Sequence, residues 1–137
     1  VLPGVGALGA CMAALRNRVL EQPAVDAVAT GRPFPGICVG MQMLFTQSEA
    51  TPGATGLGII PGTVRWIPTV PGVGPKIPHM QWNRLDLVLP NDPMLADLVV
   101  DSCVYFVHSL QRVPDVLAVF AATVEYGTTL NLPLIHI

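Results

Sequence analysis

Near the start of the chain Met12, Leu15, Val19 and Leu20 recur at helical spacing, with Arg16, Asn17 and Arg18 between them. This period predicts an amphipathic helix over residues 9–20, behind a glycine-rich turn. A second helical stretch is expected over 24–29, broken by Thr30-Gly31-Arg32-Pro33. The apolar run 34–39 then reads as a buried strand. Residues 40–47, with Met41, Leu44 and Phe45 on one side, read as a helix directly after it, which puts Cys38 at a strand-to-helix corner.

From 51 to 78 the chain is dense in Gly and Pro around short β-type runs such as 63–67, so loops and short strands are expected. Asn91-Asp92-Pro93 predicts a turn and a helix start, with a short helix over 94–99. Val104-Tyr105-Phe106-Val107 is strongly β-prone and ends at His108-Ser109, and 116–125 predicts a further apolar strand or two. There is no internal repeat and no low-complexity segment. Strands alternating with helices predict an α/β domain with a mostly parallel sheet, whose function gathers at the carboxyl ends of the strands.

The length of 137 residues suits a single domain, 1–137. Apolar residues make up 51% and charged residues 12%, against about 25% charged in ordinary soluble domains. So much apolar surface predicts a partner, a missing segment, or both. Every hydrophobic stretch is interrupted before the roughly 18 residues of a spanning helix, so a soluble chain with no membrane partner is expected. Net charge is −2 with dispersed basic residues, which argues against nucleic acid. Cys11, Cys38 and Cys103 are odd in number and lack CxxC spacing. That pattern predicts neither a disulfide framework nor a metal site, no cofactor is expected, and a reducing cytoplasmic setting fits best. Val1-Leu2-Pro3-Gly4 has no initiator Met and no basic leader, so it reads as an interior cut with the first element absent.

Candidate chemistry centres on Gly36-Ile37-Cys38-Val39-Gly40. A cysteine between glycines at a strand-to-helix turn has the nucleophile-elbow pattern with Cys in place of Ser. The glycines leave room for a tight turn, and the helix N-terminus favours the attacking thiolate. The N–H of Val39 would face a developing oxyanion. Taken alone, the pattern fits an inert packed cysteine equally well.

Further motifs follow in order: Leu2-Pro3-Gly4-Val5-Gly6-Ala7, the elbow continuing to Met41-Gln42, Gly56 to Gly62, Pro78-His79-Met80, Trp82-Asn83, and Tyr105-Phe106-Val107-His108-Ser109. In order and approximate spacing the chain resembles, from its start to about Gly127, the glutaminase subunits of imidazole glycerol phosphate synthase, which are class I glutamine amidotransferases. The resemblance implies an incomplete flavodoxin-like α/β fold. It implies hydrolysis of L-glutamine by Cys38, through a thioester, and transfer of the ammonia to a partner cyclase, a (β/α)8 barrel of histidine biosynthesis joined as a heterodimer. By the same resemblance Val5 and Val39 supply the oxyanion hole, Gly6, Gln42 and Ser109 line the glutamine pocket, and Met80, Trp82 and Asn83 face the cyclase. The residues also admit plainer roles: a Gly-Pro turn for Pro3 to Gly6, a solvated helix position for Gln42, a strand-end cap for Ser109, and core packing for Trp82.

The chain departs from the family pattern in several places. It holds no His-Pro-Glu, the motif that supplies base and orienting acid, so the triad is incomplete and the chain alone is expected to be inactive. His136 follows Tyr126-Gly127 too closely and reads as a tail residue, and neither His79 nor His108 inherits the base role. Pro35 lies inside the expected strand, Gln81 and Leu110 replace a usual Gly and a usual aromatic, and Glu49-Ala50 replaces an acidic pair. Residues 128–137 resemble nothing in the family and read as an atypical tail, as in a frameshifted or truncated frame. Two further readings stand beside the glutaminase: a catalytically dead docking module for the cyclase, and another class I amidotransferase or cysteine hydrolase.

Overall fold

The computed structural model describes residues 1–69, 72, 74–89, 91–99, 101–116 and 121–132. Along the chain run β1 (Leu2–Gly4), α1 (Leu8–Asn17), α2 (Glu21–Ala29), β2 (Gly36–Cys38), α3 (Val39–Gln42), β3 (Phe45–Ser48), β4 (Ile60–Trp66), β5 (His79–Arg84), β6 (Asp86–Leu87), β7 (Cys103–His108), β8 (Leu110–Pro114), β9 (Ala122–Glu125) and β10 (Thr129–Leu132). The α/β class expected from the sequence is what the chain adopts. It divides into two compact units, one of Val1–Arg65 with Val113–Val116, the other of Trp66–Arg112 with the described part of Leu117–Ile135.

In the first unit α1 buries Leu8 and Met12, one turn apart, while Val19 and Leu20 stay exposed because the helix ends at Asn17. Val19 takes a positive φ of 57°, which closes the helix, and Arg16 forms a two-pronged pair with Glu21 across the break. β1 and β2 pair in parallel, Leu2 with Gly36 and Gly4 with Cys38. β3 and β4 also run parallel, with Phe45 opposite Ile60 and a shift of register before Gln47 meets Thr63. Met43, Leu44, Phe45, Ile60 and Val64 are buried here, and full burial of a side chain such as Phe45 contributes about 2–3 kcal/mol.

Two expectations about this unit change. Helix α3 is one turn long, and the stretch expected to continue it becomes β3. Leu44 and Phe45 satisfy a helical stripe, but the backbone of Phe45–Ser48 finds its hydrogen-bond partners on β4. The predicted buried strand shortens to Gly36–Cys38, with Ile37 and Cys38 exposed, because among the described residues its sheet has two strands. Pro35 stands just outside it and uses its carbonyl to accept from Leu2 N–H at 2.9 Å, so its missing N–H costs no ladder bond.

In the second unit the pairings are antiparallel. β5 and β7 align His79 with His108, Met80 with Val107, Trp82 with Tyr105 and Arg84 with Cys103. β10, β9 and β6 form a second sheet in that order, over a core of Ile67, Leu85, Phe106, Val124 and Leu130. The turn between β9 and β10 passes through Gly127 at φ 70°, as a three-residue hairpin loop requires. Part of the segment expected to be an atypical tail, Thr129–Leu132, is therefore strand. His136 lies outside the described residues. The helix expected over 94–99 is absent: Asp92 accepts from Met94 N–H as an N-cap would, but Leu95 and Leu98 reach back three residues in successive turns. Among the described residues no helix is long and apolar enough to cross a membrane.

Candidate active site

Cys38 is the last residue of β2 and immediately precedes α3, at φ 56° and ψ −120°. A residue with a Cβ in that region carries strain of about 1–3 kcal/mol. The local sequence makes the corner possible. A Cβ on Gly40 would lie 1.8 Å from the Leu2 carbonyl oxygen, and one on Gly36 would lie 2.7 Å from the Met41 Cα. Only glycine at these places lets α3 fold back against β1 and β2. The thiol of Cys38 is free and exposed, unlike the packed cysteine of the plainer reading.

The parallel register puts Gly4 opposite Cys38, and the turn Val5-Gly6 follows directly from that pairing. Val5 is 88% exposed and Gly6 has a φ of 90°. The Val5 carbonyl accepts from the Cys11 thiol at 3.2 Å, which ties this turn to α1. Val39 is buried and anchors the corner, and as the first residue of α3 its N–H has no partner within the helix. Gln42, half-buried, ends α3 one turn beyond Cys38. With a single turn behind the sulfur, the helix dipole adds less than the sequence suggests, and the backbone corner itself dominates the geometry.

The remaining predicted residues belong to the second unit. Ser109 is half-buried at the corner between β7 and β8, its carbonyl accepting from Ile67 N–H at 3.0 Å. Met80 and Trp82 stand on the outer face of β5, 55% and 68% exposed, beside exposed Tyr105 and Val107 of β7. Trp82 meets the Tyr105 ring edge-on at 5.5 Å. Trp82 is thus no core residue of this unit. Asn83 alternates to the opposite face, where its Oδ1 lies 3.0 Å from His79 Nε2 and its Nδ2 donates to the Glu125 carbonyl at 3.0 Å. Its side chain is occupied inside the unit, while Met80 and Trp82 remain outward.

That inner face holds a polar cluster the sequence did not reveal. His79 is fully buried, with Nδ1 2.9 Å from His108 Nε2, and His108 Nδ1 bonds the Leu110 carbonyl at 2.9 Å. Burial lowers the proton affinity of His108, the Leu110 bond works against this, and the charges of Arg112 and His79 lower it further. The two rings lie 29 residues apart in sequence, and only the hairpin register joins them. Both are engaged, His79 with His108 and Asn83, and His108 also with the Leu110 carbonyl. Among the described residues no group of three or more His, Cys, Asp or Glu side chains could hold a metal ion.

No family model matches the chain. Individual relatives do. The chain is 46% identical over 137 residues to imidazole glycerol phosphate synthase subunit HisH of Trichormus variabilis, an alignment covering 99% of this chain and 64% of that protein. It is 45% identical over 128 residues to the HisH subunit of Synechococcus elongatus, covering 93% and 58%. With HisH of Syntrophotalea carbinolica it shares 46% over 132 residues, covering 94% and 64%. The chain thus spans 58–64% of the length of these relatives. With such identity sustained across nearly all of its residues, around an exposed cysteine at a strand-to-helix corner, the chain is similar along almost its whole length to imidazole glycerol phosphate synthase subunit HisH.

Proposed function

We propose that the chain is part of a glutaminase subunit, a single partial amidotransferase domain in which Cys38 attacks the carboxamide of L-glutamine. The observation that carries this reading is Cys38 itself, exposed at φ 56° and paired across the sheet with Gly4 of the Pro-Gly turn. The thiolate adds to the carbonyl carbon, and the oxyanion forms near the N–H groups of Val39 and Val5. Collapse of this intermediate with a proton on nitrogen expels ammonia and leaves a thioester. Water then hydrolyses the thioester to glutamate. Gly6 and Gln42 line the glutamine pocket in this reading. The ammonia passes to a (β/α)8-barrel cyclase, which makes imidazole glycerol phosphate and AICAR in histidine biosynthesis, within a cytoplasmic heterodimer. Met80 and Trp82, exposed on one strand face, suit the cyclase contact, since aromatic and Met side chains are enriched at interface cores.

Residues 1–137 contain no His-Pro-Glu, so these residues alone do not supply that motif's base and orienting acid for the proton transfers. The expected result is glutamate release near background for the chain alone. The same outward face, Met80, Trp82, Tyr105 and Val107, favours a second reading as a docking module without catalysis. Glutamate release measured with and without the cyclase separates the two. Release above background that disappears in Cys38→Ala supports the glutaminase. Binding to the cyclase with equal background for both proteins contradicts catalysis and leaves docking.

A further inference from the structure

The inner face of the β5–β7 hairpin contains a hydrogen-bonded line of two imidazoles closed at each end by an acceptor. The Leu110 carbonyl only accepts, so His108 Nδ1, at 2.9 Å, carries a proton. At the other end the Asn83 amide is oriented by its own bonds, Nδ2 donating to the Glu125 carbonyl and Oδ1 accepting from Gln81 Nε2 at 2.6 Å. Its oxygen therefore faces His79 Nε2 at 3.0 Å, and that nitrogen carries a proton too. The middle bond, His79 Nδ1 to His108 Nε2 at 2.9 Å, holds one more. Two neutral imidazoles own two protons in all, and this line uses three. All three bonds are filled together only if the pair carries one positive charge.

The surroundings suit a cation at His79. Its ring is fully buried between Phe106, at 4.7 Å and 11°, and Tyr126, at 3.8 Å and 21°, and aromatic faces attract cations more strongly where water is excluded. Tyr126 is itself held by donation from its hydroxyl to the Lys76 carbonyl. The other charged groups on the packed elements are Arg112 of β8, Glu125 of β9 and Arg84 of β5. Glu125 bonds the Thr129 hydroxyl, and Arg84 pairs with Asp86 and Asp101. Arg112 raises the cost of a second charge at His108.

We propose that His79 and His108 hold one excess proton as a unit, with His79 the imidazolium, and that this charged pair is a pH-dependent clasp on the Ser109 corner. His108 reaches over Ser109 to the Leu110 carbonyl, so the line fixes the end of β7 where it turns into β8. Loss of the excess proton leaves two protons for three bonds, and one bond breaks. A further proton puts hydrogens on both nitrogens of the middle bond, and that bond breaks. The clasp is whole only between these limits. It does not depend on glutamine chemistry.

The test is 15N NMR of the histidine ring nitrogens of the full chain across pH, together with the variants Asn83→Asp and Asn83→Leu. At neutral pH both nitrogens of His79 should show protonated shifts, while His108 shows a protonated Nδ1 and a bare Nε2. Asn83→Asp should move the loss of the excess proton upward by about one pH unit, a tenfold gain in proton affinity. Asn83→Leu removes one acceptor and should leave both rings neutral. One proton on each ring at neutral pH in the parent chain, or titration of His79 unmoved by either variant, overturns the proposal.

Discussion

Cys38 holds a backbone conformation that glycine adopts freely and cysteine does not. If the thiol is the reason for keeping cysteine there, replacing it should release strain. Cys38→Gly is expected to raise the stability of the first unit by about 1 kcal/mol in urea unfolding, after the entropy that glycine costs the folded state. Cys38→Ala, which keeps a Cβ and the strain, should leave stability nearly unchanged. Gly40→Ala should do the reverse, since its Cβ would meet the Leu2 carbonyl oxygen at 1.8 Å. A loss of about 3 kcal/mol or more is expected, and a neutral result would mean that the β1–α3 approach is looser than described. At this scale the elbow was legible in sequence because its requirements are local: two glycines, one cysteine and a change of period. The histidine pair was not, since nothing near His79 or His108 names its partner.

Among elements, α1 and α2 were legible from their 3.6-residue period, and β7 from its β-branched and aromatic run. β3 was not: Met41, Leu44 and Phe45 match a helical face, and a short apolar run does not distinguish helix from buried strand. The turns over 94–99 carry the cap of a helix at Asp92 without its continuation. The β5–β7 hairpin supports two predictions. Trp82→Ala removes a largely exposed ring whose contact with Tyr105 is on the surface. Unfolding should shift by no more than about 1 kcal/mol, while affinity for the cyclase proposed as partner, by calorimetry, should fall by about 2 kcal/mol, some thirtyfold. The second concerns pH. The folded chain lowers the proton affinity of His108 below that of the unfolded chain. On the acid side, His108's contribution is therefore complete by neutral pH and is lost as pH falls through the lowered native value. Thermal unfolding followed from neutral to acid pH should show that loss, and His108→Gln should flatten it.

For the whole molecule, the balance of 51% apolar and 12% charged residues leaves large side chains on the surface, Ile37, Trp66, Met80, Trp82, Tyr105 and Val107 among them. Surfaces of this kind associate unless a partner covers them. Sedimentation of the isolated chain should show association that grows with concentration and recedes when the cyclase proposed as partner is added. A monomeric chain with one cooperative unfolding transition would contradict this. The measurement closest to the central claim is mass-spectrometric mapping after treatment with a glutamine analogue bearing an electrophile at its carboxamide position. Modification concentrated on Cys38, suppressed by free glutamine and sparing Cys11 and Cys103, is the predicted result. Equal modification of all three cysteines, unaffected by glutamine, would contradict the assignment of Cys38 as the nucleophile.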